Sequence, residues 1–492
     1  MATAQSAYSM QPDKSTRPGD PYTYQVGFGN SFASEAIPGV LPLGQNAPQK
    51  VKFGLYAEQV TATAFIAPRH SNQKLWLYRM RPSVAHQGFV RIPDNEDMCS
   101  DFSPLNPKVH VSPTQIAWRP FPLPPDSQKV NFVQGLKTVA GSGSPMGKDG
   151  LAIHMYLANT SMDKEAFINN DGDMLIVPQQ GRLDIQTELG HLMVSPGEIC
   201  IIQRGLRFKV KLPDGPSRGY IQEVFGGHYK LPELGPLGAN GLANARDFEH
   251  PIASFEVDQS GWQITYKLMG TLWSCSQEHS PFDVVAWHGN YVPAKYNLEN
   301  FCFVGSVSFD HVDPSIFTVL TVDTAEPGTP LADFLIFAPR WDVASHTFRP
   351  PYMHRNAASE FMGLIKGGYG GRSDDFLPGG ASYECGFTPH GVDYEVFEAA
   401  SNIEQNGAEW ISDGTYAFMM ETSKMLTLTD YAPKMWEPLQ AGFIDRLDEV
   451  NAHLAKHGLP PIAKGNATAG NQGLARRTVE GESAMEGTAN GH

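Results

Sequence analysis

Short apolar runs separated by turn residues are the clearest pattern in this chain, and they are concentrated in residues 171–211. Apolar positions alternate with polar ones in several runs, at Leu183 and Ile185, Leu192 and Val194, and Phe208 and Val210. The runs are divided by the turn residues Gly181, Gly190, Pro196, Gly197 and Gly205. Because strand side chains alternate between two faces, this pattern predicts short strands. Their close, regular spacing predicts an antiparallel β-barrel or sandwich.

A second span, from about residue 300 to 425, shows a comparable alternation of turns and strands. The turn SPGE at 195–198 leads into the apolar run ICIIQ, a connection typical of the double-stranded β-helix, or cupin, barrel. We therefore predict a mainly all-β protein with two cupin-like barrels in a bicupin-type arrangement and only short helices. The predicted organisation is a disordered tail at 1–20, a β-rich, metal-free cupin-like domain at 21–279, a second cupin-like domain at 280–440, a helix at 441–463 and a disordered tail at 464–492.

Helical periodicity is confined to the end of the chain. Residues 438–458 repeat apolar side chains at helical spacing and stop at a glycine, with the pattern set by Phe443, Leu447, Val450, Leu454 and Gly458. His453 and His457 lie there at i, i+4, which allows a metal site. Histidines in the last turn more often complement the helix dipole. His492 lies in the predicted tail and is set aside.

Composition and charge limit the classes of function. The chain has 492 residues, 41% apolar and 18% charged, with Gly 48 and Pro 38, which is enough for a large interior joined by many turns. The formal net charge of −15 argues against a nucleic-acid or acidic-membrane binder. Apolar runs long enough to span a membrane are absent from the sequence, and five scattered cysteines without CxxC spacing predict a reduced, cytoplasmic protein.

The candidate chemistry lies in PPYMHRNAASEFMGLIKGGY, residues 350–369. His354 and Glu360 are six residues apart, so an extended backbone would point both to one face, whereas a helix would leave them about 120° apart. His390 follows thirty residues later, a gap that accommodates an outgoing strand, a loop and a returning strand. Two imidazoles and one carboxylate form the facial triad of non-heme Fe(II) oxygenases. The alternative is that each side chain only makes ordinary hydrogen bonds.

Longer motifs carry a resemblance to a known family. They include YQVGFGNSFASEAIPGVLPLGQNAPQK, SPFDVVAWHGNYVPAKYNL, VSFDHVDPSIFTVLT, DFLIFAPRW and FRPPYMHRNAASEFMGLI, and together the likeness runs from about residue 21 to 440. The chain resembles the homogentisate 1,2-dioxygenases. The resemblance implies cupin-type architecture, trimers paired into a hexamer, and ring opening of homogentisate with O2 to maleylacetoacetate in tyrosine and phenylalanine catabolism.

The resemblance also assigns roles to residues of this chain. It implies that His354, Glu360 and His390 hold Fe(II), with His390 also contacting the substrate, and that the domain at 280–440 is the catalytic one. His311, in FDHVDPSIF, matches the family's acid/base; its alternative role is to stabilise a turn beside Asp310 and Asp313. Tyr369 matches a residue that touches the small aromatic substrate.

Two further residues are candidates from the chain itself. Asn356, two positions after His354, would share its face in a strand and support a ligand or contact substrate. His288, in AWHGNYVP, is a weaker candidate for catalysis because its neighbours suggest a structured turn.

One position departs from the family pattern. The segment GGASYECGFTPHGVD has Glu384 where the family usually has a histidine, six residues before the last ligand, and Val392 where it has a proline. By strand parity Glu384 would share a face with His390 and so contact substrate, and an unpaired carboxylate there would repel the acetate of homogentisate. Three hypotheses follow: cleavage of homogentisate, the same chemistry on a related hydroquinone, or a metal-free cupin-like binding or scaffold protein.

Overall fold

A computed structural model of the chain describes residues 13–14, 17–305, 307–371, 376–404, 407–435 and 447–463. The predicted C-terminal tail, His492 and most of the predicted N-terminal tail lie outside these ranges, as do residues 436–446 of the predicted helical segment. Asp20, at the end of the predicted N-terminal tail, is buried, and its carboxylate accepts from the Tyr24 hydroxyl and pairs with Lys295.

Strands dominate the described residues. The first half of the chain forms β1 Asp13–Lys14, β2 Thr23–Val26, β3 Phe32–Glu35, β4 Tyr56–Thr61, β5 Lys74–Arg79, β6 Val90–Arg91, β7 Val109–His110, β8 Ile116–Trp118, β9 Leu136–Ser144, β10 Asp149–Ala158, β11 Glu165–Asn169, β12 Asp173–Gln180, β13 Leu183–Thr187, β14 Gly190–Val194, β15 Glu198–Ile202, β16 Arg207–Lys211, β17 Ser217–Val224 and β18 Phe248–His250. The second half forms β19 Trp262–Leu268, β20 Thr271–Gln277, β21 Val284–Gly289, β22 Ala294–Asn297, β23 Thr318–Asp323, β24 Pro330–Phe337, β25 Arg340–Asp342, β26 Ser359–Lys366, β27 Ala381–Glu384, β28 Glu409–Ile411, β29 Tyr416–Thr422 and β30 Thr427–Thr429.

Helices are short, as the sequence predicts. The α-helices are α1 Tyr394–Asn402, α2 Tyr431–Lys434 and α3 Leu447–Lys456, and the 3₁₀-helices are Lys52–Gly54, Pro145–Gly147, Gly235–Leu237, Ala245–Asp247, Leu298–Asn300 and Pro314–Phe317. Across the described ranges, each helix is too short or too polar to cross a membrane.

Three large sheets form layers around two cores. The middle layer has the order β1-β2-β18-β22-β15-β12-β17-β10-β9-β30-β7, with β14-β13-β16-β11-β19-β20-β6 on one side and β23-β24-β29-β26-β27-β8 on the other. Strand β10 of the middle sheet contributes to both cores. Ile153 and Met155 pack in the core shared with the six-stranded sheet, while Tyr156 packs in the core shared with the seven-stranded sheet. A strand buried on both faces reads as a continuous apolar run, which is how LAIHMYLA reads.

The all-β prediction is confirmed, and the span 171–211 folds into five successive strands, β12 to β16. A four-stranded sheet, β3-β21-β5-β4, and the two-stranded ladder β25-β28 complete the fold. The domain limits stay predictions, but strands cross the proposed boundary near residue 280 in both directions. Strand β8 joins the six-stranded sheet of the later part of the chain, and β30 joins the middle sheet.

Candidate functional site

The six-stranded sheet brings the three candidate metal ligands together. Glu360 is the second residue of β26, whose following apolar residues anchor it in the core. His390 lies beyond the antiparallel strand β27, as the predicted outgoing and returning strands require. An isolated antiparallel bridge then pairs His354 with His390, with N–O distances of 2.9 and 3.1 Å.

The backbone differs from the prediction in two places. His354 and Glu360 do not share a strand, because β26 begins at Ser359 and residues 355–358 are irregular. Glu384 and His390 do not share one either, since β27 ends at Glu384 and a turn follows. The prediction that continuous strands align these side chains is therefore wrong. Bends in the backbone bring them to the same cavity instead.

Both imidazoles present the same nitrogen to the centre of the cluster. Nδ1 of His354 lies 2.6 Å from the Tyr352 carbonyl, and Nδ1 of His390 lies 2.8 Å from the Thr388 carbonyl. A carbonyl can only accept, so each Nδ1 carries the proton and each Nε2 keeps its lone pair. This is the arrangement by which proteins fix metal-binding histidines.

Glu360 lies between the two imidazoles. Its Oε1 is 3.5 Å from His354 Nε2 and 3.4 Å from His390 Nε2, and the three ligand atoms all lie within 4.8 Å of one another. Burial alone would raise the pKa of Glu360, but the neighbouring imidazoles and Asn356 outweigh it and lower the pKa to about 2. The same carboxylate raises the pKa of His354, and it raises that of His390 against the opposing effect of burial.

A row of acidic residues crosses the sheet at the level of Glu360. Strand register pairs Glu384 with Glu360, Glu360 with Glu421, and Glu421 with Asp333. Burial, with Glu360 and Asp333 nearby, raises the pKa of Glu421 to about 8. Directly opposed carboxylates repel each other, so this wall favours a cation.

The other predicted residues line the same cavity, whose volume is about 930 Å³. His311 stacks edge-on with Tyr352 at 4.7 Å, and Tyr352 with His354 at 5.4 Å. Asn356 donates its amide to Glu360 Oε1, which makes it a support of the carboxylate. Tyr369 also lines the cavity, beside Phe337.

The turn role proposed as the alternative for His311 belongs to its neighbours. Asp310 accepts from the His311 backbone N–H, and Asp313 caps the 3₁₀-helix at 314–317. The His311 ring keeps Nδ1 at 3.0 Å from the Val312 carbonyl, which leaves the lone pair on Nε2.

Other histidines lie away from the cluster. His288 is on β21, 3.4 Å from the Tyr78 hydroxyl, and does not line the cavity. His453 and His457 stack at 4.8 Å, and His453 lies 3.8 Å from Glu398. Among the described residues, His354, Glu360 and His390 are the potential metal ligands that lie close enough together, as a group of three, to hold an ion.

Sequence reasoning missed Gln115 and Glu421. Gln115, just before β8, donates to Glu384 Oε1 at 2.8 Å, and nothing in its own segment marks it. Glu421 has a weak signal, a charged residue near the end of the apolar strand YAFMMET.

The core between the middle sheet and the seven-stranded sheet, called the first sandwich below, holds a comparable buried cluster. A lysine of the protein itself already supplies the cation there. His154 pairs with Glu223 at 3.0 Å, and Lys267 Nζ lies 2.7 Å from Glu223 and 2.9 Å from Asp171. The ammonium occupies the centre of this group. The triad beside β26 has no lysine or arginine within ion-pair distance among the described residues.

Fold and site together define a class: a β-sandwich protein with a two-histidine, one-carboxylate cluster in the lining of a cavity. Two family models match the chain, "Homogentisate 1,2-dioxygenase N-terminal" over residues 23–298 and "Homogentisate 1,2-dioxygenase C-terminal" over residues 299–454. The chain belongs to the homogentisate 1,2-dioxygenase family.

Curated relatives agree with this membership. The homogentisate 1,2-dioxygenase of Dictyostelium discoideum is 55% identical over 415 residues, covering 84% of this chain and 94% of the relative. The protein of that name from Homo sapiens is 50% identical over 436 residues, covering 85% and 96%. Among solved structures, a variant of oxalate decarboxylase from Bacillus subtilis matches at 11% identity and a TM-score of 0.27, covering 72% of this chain and 88% of that one. That TM-score is too low to support an argument.

Proposed function

We propose that this protein cleaves the ring of homogentisate with O2 as an Fe(II)-dependent, extradiol-type dioxygenase and yields maleylacetoacetate. Family membership over nearly the whole chain supports the substrate class and the reaction. Both oxygen atoms enter the product, so the reaction needs no separate reductant. The observation that carries the proposal for this chain is the pair of Nε2 lone pairs that converge on Glu360.

The donor set suits a ferrous ion. His390 Nε2 is buried, and although it lies 3.4 Å from Glu360 it makes no hydrogen bond. An orphaned buried nitrogen is costly unless a ligand satisfies it. Two neutral imidazoles and one carboxylate are the ligands of non-heme Fe(II) oxygenases, in which other coordination positions stay open. When bound, the iron would supply Lewis acidity toward a ring hydroxyl and redox chemistry with O2.

The chain's own residues account for holding the site and moving the proton. His354, Glu360 and His390 would bind the metal, and Asn356 would orient the Glu360 carboxylate. His311 would accept the ring hydroxyl proton on Nε2, because its Nδ1 is engaged by the Val312 carbonyl. Tyr369, which also lines the cavity, would orient a ring oxygen.

Glu384 favours a second candidate, the same chemistry on a related hydroquinone with a neutral or differently charged side chain. Its carboxylate is buried beside the triad and accepts from Gln115. A carboxylate in this place disfavours an anionic group next to it. Homogentisate is therefore accommodated only if its acetate points away from Glu384.

Iron content and O2 uptake test the proposal. Protein purified without oxygen and loaded with Fe(II) is expected to hold about one iron per subunit, and to consume O2 with homogentisate in preference to gentisate and other hydroquinones. Glu360→Gln should lose the iron, while Glu326→Gln, which changes an exposed carboxylate outside the cavity, should keep it. Absence of iron in the unaltered protein would leave the metal-free scaffold hypothesis.

The Glu384→His variant separates the two substrate hypotheses. If homogentisate is the substrate, the unaltered protein turns it over and the variant gains little. If the unaltered protein cleaves only another hydroquinone and the variant gains homogentisate turnover, position 384 sets the substrate. No change in specificity would remove Glu384 from that role.

We also propose that the protein is cytoplasmic and assembles as a homo-oligomer, either a trimer or a pair of trimers.

 
The support for self-association is a set of large apolar side chains left exposed in the first part of the chain, Leu43, Phe65, Ile66, Val84 and Leu105. The trimer, or the trimer paired into a hexamer, is what the family resemblance implies. All five cysteines are free, as a reducing compartment requires. Light scattering coupled to size-exclusion chromatography measures the assembly directly, and a monomer would overturn this part of the proposal.

A further inference from the structure

Besides the acidic row, the cavity lining includes a cation, Arg340, that has no carboxylate within ion-pair distance in the described part of the chain. Arg349 is engaged by Glu409 at 2.7 Å and lies 3.8 Å from Asp342. Arg340 also lines the cavity, but no carboxylate among the described residues lies within 4.0 Å of its guanidinium. Of the two half-buried arginines in the cavity lining, Arg340 is therefore the one that can bind an anion.

Local structure holds Arg340 in place. It begins β25, where it pairs with Ile411 of β28. Its guanidinium carbon lies 4.9 Å from the centre of the Phe317 ring and 5.8 Å from that of Phe303. Stacking on aromatic faces fixes the plane of a guanidinium without using its N–H donors.

Most of those donors are not used within the described part of the chain. The guanidinium has five N–H bonds, and its hydrogen bond there runs from Nη1 to the Ala338 carbonyl at 3.1 Å. Burial lowers the pKa of Arg340, and the nearby Tyr369 and Asp342 oppose this only in part. A charge that is partly desolvated without a partner gains free energy when an anion joins it.

Charge is distributed unevenly over the cavity lining. Glu360 and Glu384 are paired across β26 and β27, and a ligand carboxylate would be repelled beside them. Arg340 lies on the side of Phe303, Phe317 and Tyr369, where an aromatic ring also finds apolar contacts. A dihydroxyarylacetate is thus favoured in one orientation, with one ring hydroxyl toward the triad and its carboxylate toward Arg340.

We propose that Arg340 is the specificity residue that binds the carboxylate side chain of the aromatic substrate. This proposal rests on the proposed function for the identity of that substrate. It also explains how Glu384 and an anionic substrate coexist in one cavity, because the substrate carboxylate would lie at Arg340 and not beside Glu384.

The test compares homogentisate with its primary amide, which has the same shape and no charge. Each ligand is titrated calorimetrically, without oxygen, into the full-length Fe(II)-loaded protein. Arg340→Met is expected to weaken homogentisate binding by about 10- to 100-fold, the usual effect of losing a hydrogen-bonded charge. Its affinity for the amide should stay within about twofold, and Arg340→Lys, which keeps the charge but loses the fork, should fall between.

Two control variants sharpen the result. Arg69→Met removes an exposed arginine outside the cavity and should change neither affinity. Arg355→Met removes the exposed arginine that also lines the cavity. If Arg355→Met rather than Arg340→Met abolishes the preference for the acid, the assignment is wrong.

The remaining outcomes are also decisive. Equal losses for acid and amide in Arg340→Met would reduce Arg340 to a structural residue and overturn the proposal. Should that variant fail to fold, Arg340→Lys decides on the same ratio. Acid-selective binding that depends on Arg340, without O2 consumption, would sustain the carboxylate site and refute the proposed reaction. Failure of the unaltered protein to bind either ligand would overturn both.

Discussion

The buried cation of the first sandwich permits a quantitative prediction about stability. Lys267 is fully buried, and its ammonium contacts both oxygens of Glu223, at 2.7 and 2.8 Å, and Asp171 at 2.9 Å. Lys267→Met keeps most of the aliphatic stem but leaves two buried carboxylates without their cation. We expect this single change to be among the most destabilising in the protein.

The magnitude follows from the burial of this ion pair. Breaking a buried ion pair by removing one partner costs about 3–5 kcal/mol. Burial tends to raise the pKa of Glu223, yet Lys267 and His154 hold it below its usual value, so the folded protein favours the charged carboxylate that this ammonium contacts. The expected loss of unfolding free energy is therefore about 3 kcal/mol or more.

Urea unfolding of the metal-free protein, followed by tryptophan fluorescence, measures this loss. The double variant Lys267→Met, Glu223→Gln removes one of the two orphaned charges and should recover part of the stability. Lys434→Met, which removes a largely exposed lysine, serves as the control. A loss below about 1 kcal/mol in Lys267→Met, the level of a surface ion pair, would refute the view that this ammonium neutralises the cluster.

Three further changes test other parts of the structure. Burial lowers the pKa of His250 to about 4, against 6.5 in an unfolded chain, so the unfolded state binds more protons between these two pH values. The free energy of unfolding should therefore fall by up to about 3 kcal/mol as the pH drops through that window. His250→Gln should flatten this pH dependence in denaturant titrations. Gly363→Ala would place its Cβ 2.3 Å from the buried Phe418 ring and should cost about 1–3 kcal/mol of unfolding free energy; an unchanged melting temperature would contradict this packing. His311→Asn should lower kcat about 100-fold or more with little change in iron content, and an unaltered kcat would exclude proton transfer by His311.

Much of the fold was readable from local pattern alone. Alternating apolar residues and turn glycines identified the strands of residues 171–211, because the period of two is a property of the extended backbone itself. The short helix near the end of the chain was predicted from apolar residues at helical spacing, which is also a local property of the backbone. The residue types of the candidate site were predicted as well, and the structure brings His354, Glu360 and His390 within reach of one another.

Partners that are distant along the chain were beyond such reasoning. Gln115 reaches Glu384 across 269 residues because β8 is exchanged into the later sheet, and no local pattern encodes that exchange. The prediction that His354 shares a strand face with Glu360, and Glu384 with His390, is wrong. The segments between them are irregular, and tertiary contacts rather than a fixed period determine their path.

The sequence by itself thus determined the strands, the family and the three chemical groups of the cluster, since these depend on residue types and on spacing along the backbone. Only the tertiary structure decided which nitrogen each histidine presents, which cation fills the first sandwich, and which cavity arginine has no carboxylate within ion-pair distance among the described residues. Those properties depend on distances between atoms of different strands, and such distances are fixed only when the sheets pack.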